Sequence, residues 1–289
     1  MVLPPNFIFY RRDGARVWVD RNFANPSFVD SLAHADRWFD DPSCQIIKNE
    51  EKVRIGRLTV KIADDEHSIY LKQFNPVSLR HWLGSYFGLS RAFSALRGAS
   101  ILRAARVSIA TPFAAVERRA WGALTKSFFV TREVMGGKTT DAFWLQELRS
   151  LHGRVGFERK RAFLAGLAEL FRSLHVQHVY HNDLKDANIL AVANSAGDAV
   201  AFFLLDLEGV KRYSRLSEKR RVKNLAQLNR TLGRHVGRPE KLYFLRSYLG
   251  PAFFDRKLKR QLVSKVLRRS RRLDARKVRQ TIEVVESTN

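Results

Sequence analysis

The sequence predicts an α+β protein in two lobes, because strand-forming segments come first along the chain and helix-forming segments follow. Residues 45–74 hold three segments rich in β-branched and aromatic residues, whereas apolar residues recur at helical spacing after Gly137. The chain has 289 residues, of which 45% are hydrophobic, including 20 Phe and 5 Trp. This is enough to bury a substantial core, and it excludes global disorder.

The N-terminal residues predict a hairpin followed by a helix. Residues 8–19 alternate around Arg12-Asp13-Gly14, which is typical of two strands joined by a glycine turn. The helix is expected to begin after Ser27 as N-cap and to end before Pro42. Its apolar positions are Phe28, Leu32, Ala35 and Phe39.

Strands, a basic helix and a further strand are predicted over the next ninety residues. The helix extends from about Ser90 to Arg106, and Pro112 marks its exit. A β-branched and aromatic strand follows at 127–134, and Met135-Gly136-Gly137 breaks it. The earlier strands are predicted at Gln45 to Lys48, Val53 to Ile62 and His67 to Phe74.

The remaining residues predict helices interrupted by one hairpin. Two short strands, 189–193 and 200–205, flank a turn at 194–198 and bring the chain to Asp206. One helix precedes them and two follow. Their apolar stripes are Phe163, Leu164, Leu167, Leu170, Phe171 and Leu174; then Val222, Leu225, Leu228 and Leu232; then Leu258, Leu262, Val263, Val266 and Leu267.

The chain is strongly basic, and its positive charge is concentrated in particular segments. Its 52 Lys and Arg against 28 Asp and Glu give a formal net charge of +24. Residues 211–289 carry 24 basic and 6 acidic residues, a net of +18, while residues 67–116 contain no acidic residue. Such bias favours a surface for phosphate-bearing partners, although a solvated cationic face that keeps the protein soluble is the alternative. Recognisable RNA- or DNA-binding motifs are absent, so no nucleic acid partner is expected.

Several classes of protein are excluded or disfavoured by single features. Cys44 is the one cysteine, so neither an intrachain disulfide nor a multi-cysteine zinc site can form, which fits a reducing compartment. The longest apolar run, residues 199–205, is far shorter than the ~20 residues that cross a bilayer, and the N-terminus lacks the features of a signal peptide. His175, His178 and His181 are spaced for a zinc site, but structural hydrogen bonding is the preferred interpretation.

Four polar residues form a pattern suited to phosphoryl transfer. Asp183 and Asn188 are five residues apart, so only a bent loop can point both side chains the same way. Asp206 follows the hairpin that returns the chain, and Lys72 stands among apolar neighbours on an early strand. Two acids and an amide oxygen supply hard ligands for Mg²⁺ and a base for an incoming hydroxyl, and a lysine supplies a cation for phosphates. The alternative, that Asp183 caps a turn and Asp206 ends a strand, does not explain why all four occur in this order.

These residues carry a resemblance to a known family. The segment HNDLKDANIL at 181–190 resembles the catalytic loop of protein-kinase-like folds. The chain from about residue 46 to 249 resembles the bacterial lipopolysaccharide core kinases, the Kdo and heptose kinases of the Kdo/WaaP family. The flanking segments that carry this resemblance are IYLK at 69–72, IATP at 109–112, FVTRE at 129–133, LH at 174–175, LDLE at 205–208 and NLAQLN at 224–229.

The resemblance implies the bilobal protein-kinase-like fold, with ATP and Mg²⁺ as cofactors. Residues 1–44 would be an N-terminal extension, 45–134 a small β-rich N-lobe with one helix that covers the nucleotide, and 135–289 a larger helical C-lobe ending in basic helices. The roles it implies are catalysis for Asp183 and Lys185, metal binding for Asn188 and Asp206, and nucleotide binding for Lys72, Lys48 and the adenine-binding hinge around Glu133 to Met135.

The sequence departs from the usual kinase pattern at three places. No G-x-G-x-x-G loop is present, and only Gly56 stands in the strand pair expected to cover the phosphates, with Lys48 near it. The Ser90–Arg106 helix has no acidic residue to pair with Lys72, so Asp206 or an acid from elsewhere must orient that lysine. Asn182 replaces the arginine of H-R-D, which argues against activation by loop phosphorylation.

The function that this resemblance implies is ATP-dependent phosphorylation of a sugar hydroxyl, on Kdo or heptose, in the lipopolysaccharide inner core. The expected partners are the anionic glycolipid acceptor and an anionic membrane surface, with the protein peripheral on the cytoplasmic face of the bacterial inner membrane. Two alternatives stay open: another protein-kinase-like phosphotransferase acting on a protein or small molecule, and a non-catalytic pseudokinase or binding module. The basic residues oppose a cationic acceptor such as an aminoglycoside or choline.

Overall fold

The structure, a computed structural model, describes residues 4–76, 89–194 and 199–286, with side chains up to residue 275. The chain falls into two compact units. Unit 1 comprises residues 1–104, 109–134 and 206–210, and unit 2 comprises residues 105–108, 135–205 and 211–289. Arg80, one of the basic residues in the acid-free segment 67–116, and the predicted turn residues 195–198 lie outside the described residues.

Unit 1 is built on a seven-stranded antiparallel sheet with the strand order β1-β2-β6-β7-β5-β4-β3. The predicted N-terminal hairpin is confirmed: β1 and β2 turn at Asp13-Gly14, where both residues have positive φ. The strand bounds are β1 Phe7–Arg12, β2 Ala15–Asp20, β3 Gln45–Glu50, β4 Val53–Ile62, β5 Asp65–Phe74, β6 Pro112–Ala120 and β7 Ala123–Arg132.

The sheet carries a helix on each face, because its strands alternate two sets of apolar side chains. Helix α1, Pro26–Ala33, packs with Val17 and Val19 in one buried cluster. On the other face Trp18 contacts Phe93 of helix α2, Arg91–Ala104, with ring centroids 4.8 Å apart. The basic helix predicted at 90–106 is thereby confirmed.

The predicted helix over residues 28–39 is wrong in two details. Helix α1 ends at Ala33, and residues 35–39 form a separate 3₁₀ helix. Its N-cap is Asn25 rather than Ser27, since the Asn25 side chain accepts a hydrogen bond from the Ser27 N–H at 3.0 Å. Pro26 then occupies the first helical position, where its missing N–H costs nothing.

The expected lobe division and the two units coincide at residues 134 and 135, and differ at three other places, the first of which is residues 105–108, expected in the N-lobe but part of unit 2. Residues 1–44, expected as an extension, contribute β1, β2 and α1 to unit 1. Residues 206–210 also belong to unit 1, where the 3₁₀ turn Leu207–Gly209 lies against α2. The expected domain boundaries themselves remain a prediction.

Unit 2 is mainly helical and encloses two small sheets. The sheets have the orders β11-β10-β8 and β12-β9. The strand bounds are β8 Lys138–Thr139, β9 Val179–His181, β10 Ile189–Ala193, β11 Val200–Leu204 and β12 Val210–Arg212. The helices are α3 Thr140–Phe143, continued by a π-helical turn Trp144–Leu148, α4 Gly153–Val176, α5 Glu218–Arg230, α6 Arg238–Leu249 and α7 Arg256–Glu286.

The core of unit 2 forms around α4, as its apolar periodicity predicts. Phe163 stacks on Phe143 at 5.5 Å and meets Phe202 of β11 edge-on at 5.3 Å, and Phe171 contacts Phe244 of α6. The fully buried members of the α4 stripe are Phe163, Leu167, Phe171 and Leu174. An apolar groove of about 550 Å³ is lined by side chains of α4, α5, α6 and α7.

Candidate active site

The predicted catalytic loop is a bent segment of unit 2 between β9 and β10, with a 3₁₀ turn at Asp186–Asn188. This bend brings together the two side chains that the sequence interpretation paired. The Asn188 Nδ2 donates to the Asp183 carbonyl at 2.7 Å and to its Oδ2 at 3.1 Å. Because both bonds use the amide nitrogen, the Asn188 Oδ1 is the atom suited to a hard cation.

The Asp183 carboxylate is oriented by three donors and remains 42% exposed. The Lys185 Nζ lies 2.7 Å from its Oδ2, and the Gln227 Nε2 of α5 donates to its Oδ1 at 3.2 Å. Lys185 is itself 40% exposed. The arrangement therefore fixes the acid in one orientation and still leaves it accessible to an incoming hydroxyl.

His181 supports this loop from within the core of unit 2, where it is 1% exposed. Its Nδ1 accepts the Asp183 backbone N–H at 3.2 Å, so its Nε2 must carry the proton and donates to the Leu205 carbonyl at 2.9 Å. These bonds make His181 a neutral structural residue.

Two buried amides of α5 complete the support, and the sequence interpretation did not assign either a role in the site. The Asn224 Nδ2 donates to the His181 carbonyl at 2.6 Å, and the Gln227 Nε2 also donates to the Asn182 carbonyl at 3.0 Å. Asn224 is fully buried and Gln227 is 8% exposed. The signal was available: polar amides on the buried face of an amphipathic helix need buried partners.

His175 extends the network away from the loop. Its Nε2 donates to the Asn224 Oδ1 at 3.3 Å, and its Nδ1 accepts from the Tyr248 hydroxyl at 2.8 Å. The pKa of His175 is lowered to about 4, mainly because the ring is buried; the hydrogen bond to Asn224 opposes this shift and the charge of Arg221 adds to it. Among the residues with described side chains, no group of three or more His, Cys, Asp or Glu could hold a metal ion, so the zinc interpretation of the histidines is not supported.

In unit 1, Lys72 of β5 forms an ion pair with the Asp206 Oδ1. Their side chains are 22% and 30% exposed. Helix α2 has no acidic residue to pair with Lys72, and Asp206 takes that place as the acid that orients the lysine. Asp206 itself adopts the left-handed conformation, with φ of +57°.

Lys48 shares a sheet face with Lys72. Lys48 pairs with Ile55 across β3 and β4, and Ile55 pairs with Lys72 across β4 and β5. Directly paired residues project to the same side, so both lysines lie on one face, two strands or about 10 Å apart. Lys48 is 44% exposed and forms an ion pair with Glu50 at 3.0 Å.

Gly56 serves packing on the opposite face. A Cβ at this position would lie 2.7 Å from the Cys44 Sγ and 3.1 Å from the Phe39 ring. Because Gly56 has no side chain, Cys44 and Phe39 can pack against the backbone of β4 in the core of unit 1.

The two residues of the expected adenine hinge lie in different units. In unit 1 the Glu133 N–H donates to the Ser68 carbonyl at 2.9 Å, and its carboxylate binds Arg57, whose Nε lies 2.9 Å from both oxygens. In unit 2 the Met135 side chain is 69% exposed. The Glu133 side chain is therefore engaged by the sheet, and a role in the hinge would fall to backbone groups.

Comparison with known proteins agrees with this description. The model of the lipopolysaccharide kinase (Kdo/WaaP) family matches residues 42–248, well over half of the chain. No protein with a curated description matches the sequence. One similar solved structure, described as WaaP in complex with acyl carrier protein, is 21% identical with a TM-score of 0.62, over 86% of this chain and 97% of that chain.

The structural likeness confirms the predicted fold, an α+β kinase-like fold with a β-rich N-terminal unit and a helical C-terminal unit. The family match covers the segment that holds all eight predicted site residues, from Lys48 to Asp206. The chain belongs to the lipopolysaccharide kinase (Kdo/WaaP) family.

Proposed function

We propose that this protein transfers the γ-phosphoryl group of ATP to a sugar hydroxyl, on Kdo or heptose, of the lipopolysaccharide inner core. The observation that carries the proposal is the catalytic loop, in which an accessible Asp183 is held by Lys185, Asn188 and Gln227. A fixed, accessible carboxylate beside a lysine is what transfer of a phosphoryl group to an alcohol requires.

Asp183 is the proposed catalytic base. As the sugar oxygen bonds to the γ-phosphorus, the bond from that phosphorus to the β,γ-bridging oxygen breaks and ADP leaves. The hydroxyl proton passes to the Asp183 carboxylate. Because Gln227 and Asn188 donate to opposite carboxylate oxygens, the acid meets the hydroxyl already oriented.

Lys185 is proposed to neutralise negative charge on the γ-phosphoryl group during transfer. Its ammonium lies 2.7 Å from the Asp183 Oδ2 and is 40% exposed. A cation at this distance from the proposed base can stabilise negative charge on the γ-phosphoryl group while the sugar hydroxyl attacks it.

The donor set fits the cofactors that the family implies. We propose that Asp206 and Asn188 hold Mg²⁺, since a carboxylate and an amide oxygen are the hard ligands this ion prefers. Mg²⁺ bound with ATP supplies neutralisation of the β- and γ-phosphates. Lys72 is proposed to bind the ATP phosphates, and Lys48 supplies a second cation on the same sheet face. Backbone groups from Glu133 to Met135 are proposed to bind adenine.

A panel of acceptors tests the reaction class. The purified chain is incubated with Mg·ATP and, in parallel, with lipopolysaccharide inner core lacking core phosphates, with a mixture of proteins, and with small alcohols such as choline. The expected result is phosphate on the inner core alone, located on Kdo or heptose by mass spectrometry. Phosphate on the protein or small-molecule acceptors instead, or on none despite measurable ATP binding, would contradict the proposal.

Helix α7 supports a proposed contact with an anionic surface. Residues 256–275 contain nine basic residues and one acidic residue, Asp274, which is bound by Arg230 and Arg234. In the described part of the chain no helix is long and apolar enough to span a membrane. We propose that the protein is peripheral on the cytoplasmic face of the inner membrane, where ATP and the glycolipid acceptor meet. An acyl carrier protein, the partner of the similar WaaP, is a second candidate for this surface.

A further inference from the structure

The turn that carries Asp206 is held in an unfavourable conformation. A non-glycine residue with φ of +57° is costly, so neighbouring structure must hold it in place. The 3₁₀ turn Leu207–Gly209 follows at once, and Leu207 is only 3% exposed. Whatever fixes this turn also fixes the direction of the Asp206 carboxylate.

Helix α2 approaches the turn closely at Gly98. A Cβ at this position would lie 2.1 Å from the Leu207 carbonyl oxygen, a distance that no side chain tolerates. Only glycine therefore lets the helix rest directly on the backbone of the residue after Asp206.

An ion pair joins the start of the same helix to the same turn. The Arg91 Nε donates to the Glu208 Oε1 at 3.2 Å, and its Nη2 binds the same oxygen. The Glu208 side chain is 20% exposed. Its Oε2 is buried and has no hydrogen-bond partner among the described residues, so Arg91 provides the compensation for a largely buried carboxylate.

Arg91 and Lys72, the lysine proposed to bind the ATP phosphates, contact the same aromatic ring. The Arg91 guanidinium lies 4.5 Å from the centre of Phe74, and the Lys72 Nζ lies 5.0 Å from the same ring. The cations of two ion pairs, Lys72 with Asp206 and Arg91 with Glu208, therefore both lie over the ring of Phe74.

We propose that Arg91, Glu208 and Gly98 form a latch that sets the position of Asp206. Arg91 and Glu208 are positioning residues: they act on the proposed metal ligand through the turn. In the usual kinase pattern an acid on the helix pairs with the strand lysine. Here helix α2 instead supplies a cation, Arg91, which pairs with an acid of the turn, Glu208. The latch itself is a property of unit 1, while its effect on Mg·ATP rests on the proposed function.

Hydrogen exchange in the nucleotide-free protein tests the latch directly. Arg91→Ala and Glu208→Ala should each speed exchange of the amides of residues 207–210 by about tenfold or more. Exchange in the β1–β2 hairpin should stay as in the wild type, whereas a merely structural loss would speed both. Arg97→Ala is the matched control, since Arg97 is an exposed arginine of the same helix.

Binding of Mg·ATP, measured by calorimetry, tests the consequence for the site. Loss of a residue that orients a metal ligand typically weakens metal binding by about 10-fold to 100-fold, so Arg91→Ala should weaken Mg·ATP binding to that extent. Binding of ATP in EDTA should hardly change. Arg91→Lys, which keeps the cation, should recover part of the loss, and the Arg91→Ala/Glu208→Ala double variant should lose no more than the worse single variant.

The outcomes separate the latch from the function. Unchanged exchange at 207–210 in Arg91→Ala, or additive losses in the double variant, would overturn the latch. A wild-type chain that binds no Mg·ATP, with exchange responding to Arg91→Ala as expected, would support the latch and contradict the proposed function.

Discussion

Asp183 is positioned by four neighbouring residues. Its carboxylate meets Lys185, Asn188 and Gln227, while its own N–H is taken by His181. Gln227 and His181 are held in turn by hydrogen bonds to the Asn182 and Leu205 carbonyls, so the orientation of the proposed base depends in part on residues to which no contact with substrate is assigned.

Gln227 offers the cleanest test of this dependence. Gln227→Glu removes the donor to the Asp183 Oδ1 and places a second carboxylate beside it. Because a hydrogen bond to a charged group is worth about 1.5–3 kcal/mol, kcat should fall by about 10-fold to 100-fold with little change in the KM for ATP. Gln177→Glu makes the same chemical change where the amide instead donates to the Ala105 carbonyl, and it should leave kcat unchanged. Equal kcat values for the two variants would remove Gln227 from the positioning of the base.

His175 gives unit 2 a defined dependence on pH. Burial lowers the pKa of its imidazole from 6.5 to about 4, so the unfolded chain binds its proton first as the pH falls. Stability from this residue is complete above pH 6.5 and is lost as the pH falls toward 4. By pH 5 the loss should reach about 2 kcal/mol.

Urea unfolding at pH 7 and pH 5 measures this loss. His175→Gln should be less stable at pH 7, because it disturbs the bonds to Asn224 and Tyr248, but its stability should fall less between the two pH values. His152 is exposed, so His152→Gln should keep the wild-type dependence. The account of His175 would fail if His175→Gln lost as much stability on acidification as the wild type.

Helix α7 divides its surface between packing and charge. Ser270 is buried and hydrogen-bonds to Asn229 and Ala226 of α5, and Lys265 binds Glu218 at 2.7 Å. Its apolar side chains Leu262 and Val266 line the apolar groove. The arginines at 268, 271 and 272 are exposed, so they are available to an anionic partner.

Reversing these three charges tests the proposed surface contact. Arg268→Glu/Arg271→Glu/Arg272→Glu should weaken binding to phosphatidylglycerol vesicles about tenfold or more, since each cation near such a surface contributes about 1 kcal/mol. Added salt should reduce the difference. The same reversal at the exposed Arg154, Arg172 and Arg246 of α4 and α6 is the control. Equal vesicle binding by the two triple variants would contradict the contact. Titration of the same two variants with an acyl carrier protein tests whether that protein is the partner of this surface instead.

Much of the fold follows from patterns within single segments. The β1–β2 hairpin, the basic helix α2, the buried stripe of α4 and the β10–β11 hairpin follow from periodicity and turn residues. Strand β6 was not predicted, because its run of Ala114, Ala115 and Val116 is fully buried and shows no alternation. The start of α1 was misplaced because both Asn25 and Ser27 can serve as an N-cap.

The principal residues of the candidate site could be predicted from the sequence, but their hydrogen-bond and ion-pair partners could not. Lys72, Asp183, Asn188 and Asp206 stand out because each is a polar residue at a motif position. Gln227 and the Arg91–Glu208 pair did not, since the partners lie 44 and 117 residues apart along the chain. Nothing local in the sequence records which buried amide meets which carboxylate.

Transfer of labelled γ-phosphate from Mg·ATP to lipopolysaccharide inner core should be compared between the wild-type chain and Asp183→Ala, because it measures the proposed reaction and the proposed base together. Both proteins must first be shown to bind Mg·ATP, because the role proposed for Asp183 concerns the acceptor hydroxyl and not the nucleotide. We expect transfer by the wild type and a loss of about 10²-fold to 10⁴-fold in the variant, the usual contribution of a general base. Transfer at a similar rate by both proteins, or by neither, would contradict this expectation.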